Sequence, residues 1–313
     1  EGLNEIYLKE ANDEQLAFLS PIHKQLFDTY DGLISITSAE NTHSLSNIPP
    51  DRQQKFQRAR AYMTKAMMRR SAVGEFNWVG TIFPSQAHAQ DADMSLSEYE
   101  DFVYSACLLN HADPVAEWQK VAARHQILVD WLAGKRNVRV KGENIDLTLS
   151  IADRVFINGD GRVNMPCGEI FTGPVEESVN GWVRYTYPGI HRGREVDGIE
   201  LTFEQGKVVK ATAKKNEAYL NKVLDTDAGA RYLGEFAIGT NRGIQQFTKS
   251  ILFDEKIGGT IHMAVGAAYP QSGGKNVSSV HWDMICDMRD GGQIFVDDEL
   301  FYDSGKFVVL GEV

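Results

Sequence analysis

The stretch Arg139-Val140-Lys141-Gly142-Glu143-Asn144-Ile145-Asp146-Leu147-Thr148-Leu149-Ser150-Ile151 decides how the rest of the chain is read. Ile145, Leu147, Leu149 and Ile151 alternate with polar residues, a period of two that puts apolar side chains on one face of a half-buried strand. Upstream the interval is longer. Behind Asp113, an N-cap residue followed by Pro114 at the first helical position, Val115, Trp118, Val121, Ala122, Ile127, Leu128, Trp131 and Leu132 recur at helical spacing as far as Gly134. The period thus switches from about 3.6 to 2 near residue 135. An α+β protein is expected, with an N-terminal α/β, mostly helical region over 1–135 and a β-rich domain over 136–313.

In the first region, short strands at Leu33 to Ile36 and Trp78 to Phe83 separate helices. Asp51 to Arg70, after Pro49-Pro50, reads as a long amphipathic helix with a solvated basic flank. Ser95 and Glu98 have capping-box spacing ahead of Tyr99, Phe102 and Val103. In the second region, Gly181 to Tyr187 reads as a strand, and Ile199 to Phe203 with Lys207 to Ala213 as a hairpin about Gln205-Gly206. Asn216 is expected to cap a helix carrying Tyr219, Leu220, Val223 and Leu224, and Thr226 a short one ending at Gly234.

The chain has 313 residues, 42% hydrophobic and 24% charged, which suits a packed globular protein and not a disordered or fibrous one. Its 32 Lys and Arg against 43 Asp and Glu leave a net charge of −11, so a broad phosphate-binding surface is disfavoured and no nucleic-acid partner is expected. No apolar run approaches the roughly 18 residues that span a bilayer, and Glu1 to Glu10 has no secretory-signal pattern. No membrane association is expected, and a cytoplasmic location is. Cys107, Cys167 and Cys286 are scattered and odd in number, which fits reduced thiols. Glu1 in place of Met suggests a processed or incomplete N-terminus.

Chemistry concentrates in the second region. His281 and Asp283 are two apart, so on a strand both leave the same face and can meet one cation, while Val280, Met284 and Ile285 mark the strand as buried. His262 lies in the apolar run Thr260 to Gly266, flanked by Gly258-Gly259. Glu169 in Gly168 to Gly173, and Glu235 in Leu233 to Gly239, are single carboxylates among apolar and glycine residues. Taken singly, each has an ordinary explanation: a polar strand face, a hydrogen-bonded core histidine, a carboxylate neutralised by arginine. A shared divalent ion accounts for all of them together. The mixed oxygen and nitrogen set suits Zn²⁺, Mn²⁺ or Co²⁺, and five donors exceed what one tetrahedral ion needs. Two bridged ions activate water and stabilise the oxyanion of an attacked amide, so hydrolysis is the leading chemistry. His191, beside Arg192 and Arg194, reads as a surface-loop residue, and the five histidines of the first region as surface or hydrogen-bonded core groups.

On these residues the chain resembles the thermophilic-type metallo-aminopeptidases, peptidase family M29. The resemblance rests on Asn164 to Pro174, Leu233 to Gly239, Leu252 to Lys256 leading to His262, Gly266 to Pro270, and Val280 to Asp283, strongest over about 135–290. It implies Glu169, Glu235, His262, His281 and Asp283 as ligands of two divalent ions, with Glu235 the bridging one. It also implies Tyr269 as the active-site tyrosine that hydrogen-bonds the tetrahedral intermediate. Glu255 matches an acidic residue of the family, and whether it ligates metal or carries protons stays open at this point. Three features depart from the pattern: the seven-residue interval from Glu255 to His262, a short loop from Gln271 to Ser279, and the lack of the further α/β sequence that members carry ahead of the region where Glu1 begins. The N-terminal domain is therefore expected to be partial or reduced. The function implied is removal of the first residue from short peptides with a free N-terminus by a homodimeric enzyme. The alternatives are a metal-dependent amidase or dipeptidase, and a non-catalytic binding module.

Overall fold

The computed structural model describes residues 2–310; Glu1 and residues 311–313, the outer ends of the two expected regions, lie outside it, as does the side chain of Ala72. The chain forms two compact units, Glu1–Tyr99 with Arg162–Met165, and Glu100–Gly161 with Pro166–Val313. Residue 135 marks where strands take over, but the units part within the helix Leu96–Ala106. The helix Pro114–Leu132 belongs with the β-rich unit because it buries Trp118, Leu128 and Leu132, the last two in that unit's apolar core.

The first unit holds a parallel three-stranded sheet in the order Gly32–Thr37, Asn77–Ile82, Asn164–Met165. Parallel neighbours need a crossover, and the helix Pro50–Ala72 lies in the connection between the first two strands. Asn12 and Gln15 form a capping box at the helix Asp13–Ala17, and Ser95 and Glu98 exchange the same pair of bonds. A small core gathers Leu8, Ala11, Leu16 and Ile48.

The second unit contains an eight-stranded and a five-stranded antiparallel sheet. Residues 139–150 lie in a hairpin of Asn137–Gly142 and Ile145–Ser150, with Val140 opposite Leu147. Its alternation holds, but Gly142-Glu143-Asn144 lets the chain reverse. Glu200–Glu204 and Lys207–Thr212 form the expected hairpin. The five-stranded sheet runs in the order His281–Asp287, Thr260–Gly266, Leu233–Gly239, Glu169–Thr172, Ile157–Gly159. Its Ile170, Phe236, Ile238, Ile261, Met263, Val265, Trp282 and Met284 join the core cluster, which also holds Val140, Leu147, Val183 and Leu201 of the larger sheet. The intervening residues occupy the opposite face.

Three local expectations are corrected. The strand expected to reach Tyr187 ends at Arg184. Asn216 precedes the helix Glu217–Leu224 in a left-handed conformation and makes no side-chain cap; its amide donates to the Glu195 carbonyl instead. Thr226 starts no helix. Asp227 accepts hydrogen bonds from Gly229 N and from Ser278 and Ser279, which favours a turn, and Gly234 lies inside a strand.

Candidate metal centre

Four strands of the smaller sheet direct polar groups to the face away from the core. Opposed residues of an antiparallel pair share a face. Glu235 is opposite Ala264, which is opposite Asp283; His262 is opposite Ala237; Glu169 is opposite Gly239; His281 is opposite Gly266. Each acidic or imidazole group thus has an alanine or glycine opposite it on at least one side of the ladder, His262 having Ile285 on the other, and the small partners leave room for the longer side chains to converge.

Glu235 reaches this face through an irregularity. Leu233 pairs with Val265, so unbroken alternation would put Glu235 opposite Met263, on the core side. The register shifts between Leu233 and Glu235, and the extra residue, Gly234, turns the carboxylate to the other face. Glycine is required there: a Cβ would lie 2.3 Å from the Ala267 carbonyl oxygen. Gly168, ahead of Glu169, has φ +117°, and a Cβ would collide with Asn241, whose amide donates to the Cys167 and Ala106 carbonyls.

Glu169 Oε2 is 3.2 Å from His262 Nε2, and Glu235 Oε1 is 3.9 Å from the same nitrogen. The other oxygen of Glu235, Oε2, lies 3.2 Å from His281 Nε2, which is 3.5 Å from Asp283 Oδ2. His281 Nδ1 donates to the Ala267 carbonyl at 2.8 Å, leaving Nε2 turned to the carboxylates. The Tyr269 ring stands edge-on to His281 and to Phe171, with centroids 5.1 and 5.5 Å away. Ser272 fixes its backbone, donating to the Tyr269 carbonyl and accepting from Gly173 N.

The five expected ligand residues therefore gather on one face, with Tyr269 and Glu255 beside them. Three groupings could each hold an ion: Glu169, Glu235 and His262; Glu235, His281 and Asp283; Glu255, His262 and Asp283. Glu169 Oε2 and Asp283 Oδ1 are buried without an aligned hydrogen-bond donor among the described residues, as expected of oxygens meant for a cation. The donors are oxygen and imidazole nitrogen, a set that fits Zn²⁺, Mn²⁺ or Co²⁺.

The electrostatics point the same way. Burial opposes ionisation of Glu169, yet Lys256 and His262 outweigh it and bring its pKa to about 2. Burial raises Glu235, with Asp283 adding to it and His281 relieving it. Burial pushes Glu255 up to about 7 against the pull of Lys256. Burial would lower both imidazoles, but the carboxylates prevail and lift His262 to about 9 and His281 to about 10. The pocket demands positive charge.

Two neighbours carry no expected role. Lys256 has no solvent exposure, donates to Glu255 and lies 3.6 Å from Glu169 Oε1. Cys167 Sγ is 3.8 Å from the same oxygen. A signal for Lys256 was available, since it stands ahead of the apolar strand beside Ile257 and Gly258, the same context that singled out the glutamates. His191 lies on the half-buried strand Gly189–His191 and not in a surface loop; burial holds it at about 4, and Nδ1 shares a 2.8 Å hydrogen bond with Tyr219. His125 is a core histidine bonded to Asn158 and Thr240. The three cysteines are free and buried.

Asp254, 1% exposed, accepts Thr248 N and Oγ1 through one oxygen, and burial raises its pKa from 3.8 to about 7. The folded state keeps this proton where the unfolded chain has lost it, so the contribution to stability declines as pH rises from about 4 through 7. Asp254→Asn should remove a fall on the order of 2–3 kcal/mol between pH 5 and 8. Urea midpoints of parent and variant that differ by a constant amount over that range would contradict it.

Residues 1–307 match the model of the family described as thermophilic metalloprotease (M29). The chain is 32% identical over 263 residues to aminopeptidase T of Thermus aquaticus, covering 75% of this chain and 62% of that protein's length. It is 29% identical over 308 residues to aminopeptidase 2 of Geobacillus stearothermophilus, covering 86% and 73%. Among solved structures, wild-type AmpT from Thermus thermophilus superimposes with a TM-score of 0.82 at 25% identity, covering 98% of this chain and 85% of that one.

Proposed function

From the premise that this chain belongs to the M29 family of thermophilic metalloproteases, we propose that it is an aminopeptidase removing the first residue of short peptides through a dinuclear centre. The observation that carries this reading is the position of Glu235, whose two oxygens face different histidines and are shared by two donor groupings. Glu169 and His262 would complete one ion's site, His281 and Asp283 the other. Bound Zn²⁺, Co²⁺ or Mn²⁺ would supply Lewis acidity, an activated water and a seat for a deprotonated α-amine.

The chain's own groups supply the remainder. Glu255, with its carboxyl balanced near 7, takes a proton from the attacking water and delivers it to the leaving amine. Burial and the surrounding carboxylates keep the Tyr269 phenol protonated, so its O–H can donate to the oxyanion as the carbonyl becomes tetrahedral. Among the described residues no helix is long and apolar enough to cross a membrane. The same reading makes the protein a cytoplasmic homodimer, the location supported by its three free thiols and the dimer by family analogy.

The test compares free and N-acetylated aminoacyl peptides and amides on metal-stripped protein reconstituted with each ion. Acetylation removes the basic amine, so blocked substrates should be cleaved at least about 10²-fold more slowly, a difference of some 2.7 kcal/mol in the barrier. Equal rates on both would refute amine recognition and favour a general amidase. Absence of stoichiometric transition metal together with no activity on reconstitution would favour a binding module.

A further inference from the structure

The three donor groupings cannot all be filled, because Glu255 would have to share His262 with one ion and Asp283 with the other. Something must decide which carboxylates bind metal. Glu255 and Lys256 follow the short helix Ile251–Asp254, so adjacent side chains of one turn reach the same cluster. The Lys256 ammonium is wholly buried, which is costly unless carboxylates surround it. It donates to Glu255 Oε1 and lies 3.6 Å from Glu169 Oε1. Oε2 of Glu169 is the oxygen turned to His262.

We propose that Lys256 is a positioning residue that divides these carboxylates between two tasks, withholding Glu255 from metal and leaving Glu169 a single oxygen to offer. The ammonium acts as a tethered monocation. A divalent ion coordinated by Glu255 would sit against a fixed positive charge bonded directly to that carboxylate in a poorly screened interior, whereas Glu169 can meet an ion through Oε2, the oxygen facing His262, with its Oε1 toward the ammonium. Glu255 stays free to handle protons, and Glu169 is held to one-oxygen ligation. This inference rests on the dinuclear reading above.

The experiment is Co²⁺ titration of the metal-stripped chain, followed by visible absorption, for the parent, E255Q, K256M and the double variant. E255Q should take up two ions with the parent's bands, since Glu255 is not a ligand. K256M should show shifted bands as Glu255 joins the coordination, with kcat lowered about 10–100-fold, the range typical of groups that orient metal ligands. The double variant should return to the parent's bands. Loss of an ion or a changed spectrum in E255Q overturns the proposal, as does a parent-like spectrum in K256M; if K256M does not fold, the E255Q spectrum decides alone. A parent that binds two Co²⁺ beside an altered E255Q refutes only the role of Lys256. A parent that binds none refutes the metal-centre reading along with it.

Discussion

Glu235→Gln is expected to lower kcat/KM by about 10³-fold, since the Lewis-acid contribution at stake is several kcal/mol. The bound metal should fall from two ions to one. Glutamine keeps the shape of the side chain but offers one carbonyl oxygen and no charge where the two oxygens of Glu235 face His262 and His281. The site is 4% exposed, so water is poorly placed to substitute. The strand bulge at Gly234 already aims this position, which makes misfolding a weak explanation for any loss. Metal content after dialysis, measured beside turnover of an aminoacyl reporter, checks both halves. A variant that retains two ions and loses less than tenfold in activity would contradict the shared-ligand assignment.

Chelation should lower the melting temperature of the metal-loaded protein by about 10–20 °C. That figure follows from about 2.7 kcal/mol per ion at a hundredfold excess over Kd, with about 2–4 °C per kcal/mol for a unit of this size. Without ions, Glu169, Glu235 and Asp283 face one another with two imidazoles and Lys256 as countercharge. The imidazoles substitute for the missing cations only while protonated. Their folded pKa values, about 9 and about 10, lie above the ordinary 6.5, so their stabilising contribution is complete below about 6.5 and lost as pH rises through 9 to 10. The effect of chelator should therefore be larger at pH 9 than at pH 6. Calorimetry with and without chelator at the two pH values tests it; a transition indifferent to chelator at pH 9 would exclude a metal held by this cluster.

Much of the candidate site could be read along the chain because strand alternation is a short-range property. His281 and Asp283 on one face, and His262 between Ile261 and Met263, follow from a period of two wherever those segments lie. The helix capped by Asp113 and the hairpin about Gln205-Gly206 follow from equally local rules, and both are present. Local rules misled at Thr226, where a favourable cap was outweighed by Ser278 and Ser279 bonding Asp227 from a distant loop. The change of period near residue 135 marks where strands take over, while the division between compact units falls within the helix Leu96–Ala106.

Residue chemistry and periodicity by themselves determined the α+β class, the apolar and polar faces of the strands, and the donor types available to a cation. Tertiary structure alone decided three matters: that the donors meet, that Gly234 is the extra residue turning Glu235 away from the core, and that Lys256 reaches Glu169 and Glu255. The reason is physical. Alternation depends on a residue's immediate neighbours, whereas convergence depends on the register between strands far apart in sequence, and a shift of one residue sends every following side chain to the other face.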